Sequence, residues 1–336
     1  MPVQPPFMAR DTFPVLYSTL SAQALIDRVL SEYDLGLIKS CQFWNRGISD
    51  IYRVETQAST YILRVSHAHW RSTTEVAFEL EWLDFLQKQR ISVAYPLRTR
   101  NGELLIELEA PEGIRSAALF IYAPGDIPVG DLNTTQAFEM GKVLAQIHQC
   151  SLEFSSLHDR ESLHLDHLLE QSLESIKPFL HQRLQDWNYL KRRVKALHQQ
   201  LAALPQQSPY WTVCWGDPHS GNVHFTLDHQ LTLFDFDQCG YGWRSFDIAK
   251  FLQVAVRTGL KRAIRDAFLS GYNTIAPLTD WEEANLQAFT QVAHIWMWGI
   301  HLQSLKLHQY SRLDDFYFTQ RLEQLKRLNT PEWQLF

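Results

Sequence analysis

CWGDPHSGNVHFTLDHQLTLFDFDQCGYG, residues 214–242, decides how the rest of the chain is read. The apolar run 211–215 leads into Gly216-Asp217, and Asn222 follows shortly after. A second run, Leu231-Thr232-Leu233-Phe234, then delivers Asp235, with Asp237 two positions on. Mg²⁺ takes oxygen ligands and usually draws one or two from protein, leaving the rest to phosphates and water. Asp217, Asn222 and Asp235 supply a carboxylate to orient a hydroxyl and two oxygen donors for such an ion, a set suited to a metal–nucleotide site. Asp and Asn also frequent turns for local hydrogen bonding, so the set gains its weight from the strand that ends in Asp-Phe-Asp directly behind it.

Working outward, the Asp-x₄-Asn spacing equals that of a kinase catalytic loop. The half before this stretch predicts a helix at 21–33, strands at 36–43, 50–55 and 60–66, and a helix at 72–89 with an apolar face. Residues 44–49 form a polar loop with one glycine, Gly47. Asn101-Gly102 within 95–106 predicts a hairpin with a two-residue type I′ turn. A buried strand at 117–122 stops at Pro124-Gly125, which divides the chain into 1–123 and 124–336. The second part reads as mostly helical, with helices at 134–149, within 165–204 (broken near Pro178 or His181), and at 244–257, 260–275, 281–309 and 313–328. Only 211–237 reads as strand there. The expected class is α+β, an antiparallel sheet plus helix followed by a mostly helical lobe.

Composition bounds the function. The 336 residues exceed one typical domain, and 45% hydrophobic content supports a large core. A net charge of −6 argues against a general nucleic-acid binder, which needs clustered Lys and Arg. The longest charge-free stretch, 284–305, holds too many Asn, Gln and His for a membrane span. Four scattered cysteines fit reduced thiols in a cytoplasmic protein. A homodimer is left open.

GDPHSGNV followed by LFDFDQCGYG resembles the motifs of the aminoglycoside phosphotransferase and choline kinase superfamily, nearest the homoserine kinase and stress-response kinase branch. TYILRVS, FELEWLDFL, AALFIYAPG, MGKVLAQIH and FDIAKFL match further parts in the same order. The resemblance implies a two-lobed protein-kinase-like fold, ATP and Mg²⁺ as cofactors, and a small-molecule hydroxyl as acceptor. It assigns Asp217 as the catalytic carboxylate and Asn222 and Asp235 as metal ligands. Arg64 would contact the ATP phosphates with Glu79 as its ion-pair partner, although Glu75 lies on the same face. The loop at Gly47 would cover the phosphates, and the backbone of Phe120, Ile121, Tyr122 and Ala123 would meet adenine. His219 and Asp247 would brace the catalytic loop.

The departures are informative. Arg64 stands where Lys is commoner, and its planar fork is not a point charge. Trp215 stands where His often precedes Gly-Asp. Asp237 replaces a glycine, and because i and i+2 share a side in extended chain it faces metal, substrate or solvent. On the acceptor side, Gln291, His294, Trp298, His301, Leu305 and His308 share a helical face that either lines a pocket or packs in the core. Trp243, Trp296 and Trp298 raise an aromatic cage for a quaternary ammonium as an alternative. Asp280, Glu282, Glu283, Asp314 and Asp315 are the carboxylates an aminoglycoside would want. A Ser/Thr protein kinase and a nucleotide-binding pseudokinase are the competing readings.

Overall fold

A computed structural model describes residues 13–128, 132–308 and 313–335. The first part is built on a five-stranded antiparallel sheet, β1 (Ile38–Arg46), β2 (Ser49–Thr56), β3 (Thr60–Ser66), β4 (Ile106–Ala110) and β5 (Gly113–Ile121), in the order β1-β2-β3-β5-β4. Alternation along the strands sorts their side chains. Tyr52, Val54, Leu63, Val65, Ala117 and Leu119 point to one face, where Leu25 and Val29, at the end of helix α1 (Ala22–Arg28), cover them. Ala118 and Phe120 point to the other, against helix α2 (Thr73–Lys88). Ser72 and Glu75 start α2 with a reciprocal capping box, which satisfies two otherwise orphaned backbone donors.

The second part contains α3 (Thr134–Cys150), α4 (Ser172–Ile176), α5 (Leu184–Leu201), α6 (Arg244–Thr258), α7 (Arg262–Asn273), α8 (Asp280–His308) and α9 (Asp315–Leu328). Two small antiparallel sheets precede α6: β6 (Trp211–Cys214) pairs with β9 (Gly240–Trp243), and between them in the chain β7 (Val223–Phe225) and β8 (Leu231–Leu233) form a hairpin. One apolar cluster runs from Val76, Phe78 and Trp82 of α2 through α3, α5 and α6 to α8 and α9. The core is therefore continuous past Pro124-Gly125.

Three local expectations change. The hairpin from β1 to β2 turns at Gly47 and Ile48 alone, because Asn45 and Arg46 still pair with Ile51 and Asp50 beyond a bulge. Asn101-Gly102 does not make a type I′ turn: Gly102 has φ +87° while Asn101 has no positive φ. The Gly102 N–H bonds to Thr99 O and the Thr99 N–H to Glu103 O, a three-residue connection closed by a left-handed glycine. The regular hairpin of this region is β4–β5, turned at Pro111-Glu112. Strand β9 is the third change, since glycines disguised it. Cβ atoms at Gly240 and Gly242 would lie 2.7 Å from Glu161 O and 2.9 Å from Leu163 Cβ. Glycine within a strand marks such a close approach.

Candidate active site

A cleft of about 520 Å³ opens between the two parts. Gly47, Arg64, Glu79 and the segment Phe120, Ile121, Tyr122 and Ala123 line it from the sheet side. Asp217, Asn222, Asp235 and Asp237 line it from the opposite side, and Met297 and Ile300 of α8 close one end. His219 lies within the loop 215–222 and Asp247 behind that loop, and neither is among the residues that line the cleft.

Arg64 projects from the cleft face of β3, and both of its η nitrogens donate to Glu79, each at 2.7 Å. The register of α2 chooses Glu79 over Glu75, which is consumed by the helix cap and by Arg71. Glu79 is 1% exposed on an apolar face, where a carboxylate is tolerated only when paired. The Arg64 guanidinium also lies 4.9 Å over the Phe120 ring. At the end of β5, His224 donates from Nδ1 to the Ala123 carbonyl at 2.7 Å, tying the connecting segment to β7.

The loop 215–222 is held by Asp247 at the start of α6. Its Oδ2 accepts from Trp215 N at 2.6 Å and faces His148 Nε2 at 3.0 Å, while Oδ1 accepts from Gly216 N at 2.8 Å. Asp247, His148 and Cys214 form a buried group at metal-ligand spacing. With both carboxylate oxygens bonded to the loop, that group is a brace. Gly216 has φ +86°, and a Cβ there would sit 2.1 Å from Gln238 O. Gly216→Ala is expected to destabilise the fold by roughly 3 kcal/mol. A near-parental midpoint in chemical denaturation would contradict the contact.

Trp215 works as a packing residue. Its indole donates to Asp235 O at 2.8 Å and stacks on Phe236 at 5.0 Å. His219 accepts from Gly221 N at 2.9 Å and stands 3.6 Å from Asp217 Oδ2. Asn222 donates from Nδ2 to Asp217 O at 3.1 Å, so its amide nitrogen is committed and the oxygen is the atom left for a cation.

Lys250, which sequence reasoning missed, sits 2% exposed with Nζ 2.6 Å from Asp217 Oδ1. Burial opposes ionisation of Asp217, but Lys250 and then His219 outweigh it and hold the carboxyl well below the usual range. Asp235 is the opposite case. It opens onto the cleft, yet enclosure by protein, and then the carboxylates of Asp237 and Asp217, push it up to about 7. Its backbone has φ +62°, rare for a residue with a side chain. A strained carboxylate repelled by two others, beside a free amide oxygen, is an all-oxygen donor set that fits a hard divalent cation.

Asp237 is largely committed elsewhere. Its Oδ2 accepts from Trp70 Nε1 at 2.8 Å and from Gln238 Nε2 at 3.1 Å. Burial opposes its charge, and Arg71 and then Arg160 outweigh that and lower its pKa. Arg160 also donates to Cys239 O at 2.6 Å and to Glu75 O at 3.1 Å, linking the Asp-Phe-Asp segment to α2. Arg160 lies in a stretch without periodicity, and no sequence signal marks it.

Of the two readings of the α8 face, core packing holds for three of its residues. Gln291, His294 and Trp298 are buried in the core, and the adjoining residues Met297 and Ile300 reach the cleft. A helix apolar all round does not declare its facing side by period alone. His301 is half-buried, and the His308 side chain lies outside the described residues. Trp243, Trp296 and Trp298, each no more than 2% exposed, are core residues and leave no open cage.

A two-part kinase-like fold with a carboxylate–amide–carboxylate set facing an Arg–Glu pair across one cleft defines a phosphotransferase. The family model described as "Phosphotransferase enzyme family" matches residues 40–286. An uncharacterised protein of Synechocystis is 56% identical over 98% of this chain and 91% of its own. Amicoumacin kinase of Bacillus subtilis is 26% identical over 77% of this chain and 78% of its own. A solved amicoumacin kinase in complex with AMP-PNP and Ca²⁺ superposes with TM-score 0.75 at 21% identity, covering 94% of this chain and 98% of that one. The chain belongs to the phosphotransferase enzyme family and is a kinase with the protein-kinase-like fold. No helix among the described residues is long and apolar enough to cross a membrane.

Proposed function

We propose that this kinase transfers the γ-phosphoryl group of ATP, with Mg²⁺, to a hydroxyl of a small molecule in the cytoplasm. Residues 1–123 would form the nucleotide lobe and 124–336 the catalytic and acceptor lobe. The observation that carries the reading is the convergence of Asp217, Asn222 and Asp235 opposite Arg64–Glu79 in one cleft. Asp217 orients the acceptor hydroxyl. The acceptor oxygen forms its bond to the γ-phosphorus as the bond to the β–γ bridging oxygen breaks. The electron pair leaves on ADP, and the hydroxyl proton passes to the Asp217 carboxylate. Asn222 and Asp235 would hold the cation, which supplies charge neutralisation on the phosphates when bound. Arg64 has both η nitrogens engaged by Glu79 and can still present its remaining N–H groups to phosphate.

Four free cysteines, three of them buried, suit a reducing compartment. The test is ADP release from Mg·ATP over homoserine, choline, ethanolamine, sugars, aminoglycosides and a protein acceptor. At least one small alcohol should raise release above the rate with water. Release driven only by the protein acceptor, or no Mg·ATP binding at all, would sink the proposal.

A further inference from the structure

A recess of about 50 Å³ lies between α8, the start of α4 and the segment Trp70-Arg71, and Gln238 and Ile300 line both it and the cleft. The Gln238 carbonyl packs against Gly216, next to Asp217, so the recess adjoins the catalytic loop. None of the residues from Phe120 to Ala123 lines it, which leaves it clear of the base proposed for that segment. Two backbone features shape its wall. Residues Asp166–Gln171 form a π-helical turn ahead of α4, a form frequent at functional sites. Gly299 lets α8 close on α4, since a Cβ there would lie 2.9 Å from Ser172 Oγ.

Some polar groups of this wall are spent on one another. Arg71 reaches Glu75 from Nη1 at 3.3 Å, donates from Nη2 to Gln238 Oε1 at 3.1 Å, and holds Nε 4.0 Å from Asp237 Oδ2. Gln171 donates from Nε2 to Glu161 Oε1 at 2.9 Å, and its Oε1 faces His167 Nδ1 at 3.0 Å. Glu161 Oε1 also lies 3.3 Å from that nitrogen, so Nδ1 carries the proton and Nε2 is left as an acceptor. Burial lowers the His167 pKa, which keeps the ring neutral. Gln303 donates from Nε2 to Ser175 Oγ at 2.8 Å, leaving its Oε1. Ser172 is 3% exposed, and its hydroxyl has no hydrogen-bond partner among the described residues. The recess thus offers two acceptors and one hydroxyl, and no carboxylate lines it.

We infer that the recess holds the end of the acceptor remote from its reacting hydroxyl, and that this end is a neutral hydrogen-bonding group, a hydroxyl or a carboxamide. This rests on the kinase reading and narrows its acceptor. An ammonium would meet the Arg71 cation with no carboxylate in the lining to offset it. A carboxylate would face Gln303 Oε1 and His167 Nε2, both acceptors, beside an arginine already engaged by Glu75 and Asp237. An apolar end would leave the Ser172 hydroxyl and the Gln303 carbonyl dry and unbonded, which costs more than the contact returns. A group that both donates and accepts satisfies all three free atoms.

The experiment is ADP release by the full chain from Mg·ATP over alcohols of graded length that differ at the far end: ω-hydroxyamides and α,ω-diols against ω-hydroxyacids, ω-aminoalcohols and simple alcohols. The amides, the diols or both should exceed the other series at equal length by roughly tenfold or more in kcat/KM, and whichever leads names the group. Gln303→Leu and Ser172→Ala should each raise KM for that alcohol by roughly tenfold with kcat and Mg·AMP-PNP affinity near parental. Ser172→Ala removes one oxygen, so it keeps the test valid if Gln303→Leu does not fold. Gln303→Glu should move the preference to the aminoalcohols, a change that a merely structural glutamine would not produce. A parental preference for a charged or apolar end, KM unmoved by all three substitutions, or no turnover of any alcohol while Mg·AMP-PNP binds by calorimetry overturns the inference. Failure to bind Mg·AMP-PNP in the first place would fall on the kinase reading and is seen separately, before any alcohol is added.

Discussion

Asp217→Asn is expected to bind Mg·ATP with near-parental affinity while turnover falls by roughly 10²–10⁴-fold, the scale of a lost acid–base group. The argument must separate chemistry from structure, because Asp217 is also the counter-ion of a lysine only 2% exposed. Removing one partner of a buried pair costs on the order of 3 kcal/mol by stranding the other charge. The double variant Asp217→Asn/Lys250→Met removes both charges and should recover most of that stability. It should not recover turnover, since no carboxylate then orients the hydroxyl. Rescue of turnover in the double variant would show that the single substitution acted only by destabilising the fold. Near-parental turnover in Asp217→Asn itself would remove the residue from its proposed role. The strongly ionised state of Asp217 makes it a weak base, which suits a loose transition state where little charge builds on the attacking oxygen and its proton leaves late.

What the sequence made legible followed from chain proximity. Asp217, Asn222 and Asp235 sit at the ends of short apolar strands, so local pattern alone sets them close together. Arg64 and Glu79 were readable because strand and helix each have a period, and Glu75 remained an alternative until the α2 cap was seen to consume it. Lys250 stayed hidden although it follows Asp247 by one turn; the only signal was a lysine inside the buried run FDIAKFLQVAV. Buried charges are paired, so that run implied a carboxylate nearby without saying which. Arg160 and His148 reach their partners through tertiary contacts alone, and nothing local encodes those. The α8 face stayed open between pocket wall and core for a related reason, since Met297 and Gln291 are both compatible with a helix packed on every side.

Asp235→Asn is expected to weaken Mg²⁺-dependent nucleotide binding by at least roughly 100-fold, beyond what a lost outer partner of a metal ligand costs. Asparagine is the informative replacement, because it tolerates the left-handed φ of +62° that alanine would strain. A loss of binding can then be laid to the missing charge and not to a broken backbone. The same variant carries a second, metal-free readout. The folded pKa of Asp235, about 7, lies above the unfolded carboxylate value near 4, so the native state holds the proton more tightly. Its contribution to stability is therefore full below about pH 4 and is lost as pH rises through about 7. Thermal melts of the metal-free parent should show that decline, and Asp235→Asn should flatten it. Retained Mg·ATP affinity by calorimetry would contradict the ligand role. A parental slope in the melts would contradict the crowding of Asp217, Asp235 and Asp237 on which the proposed cation site rests.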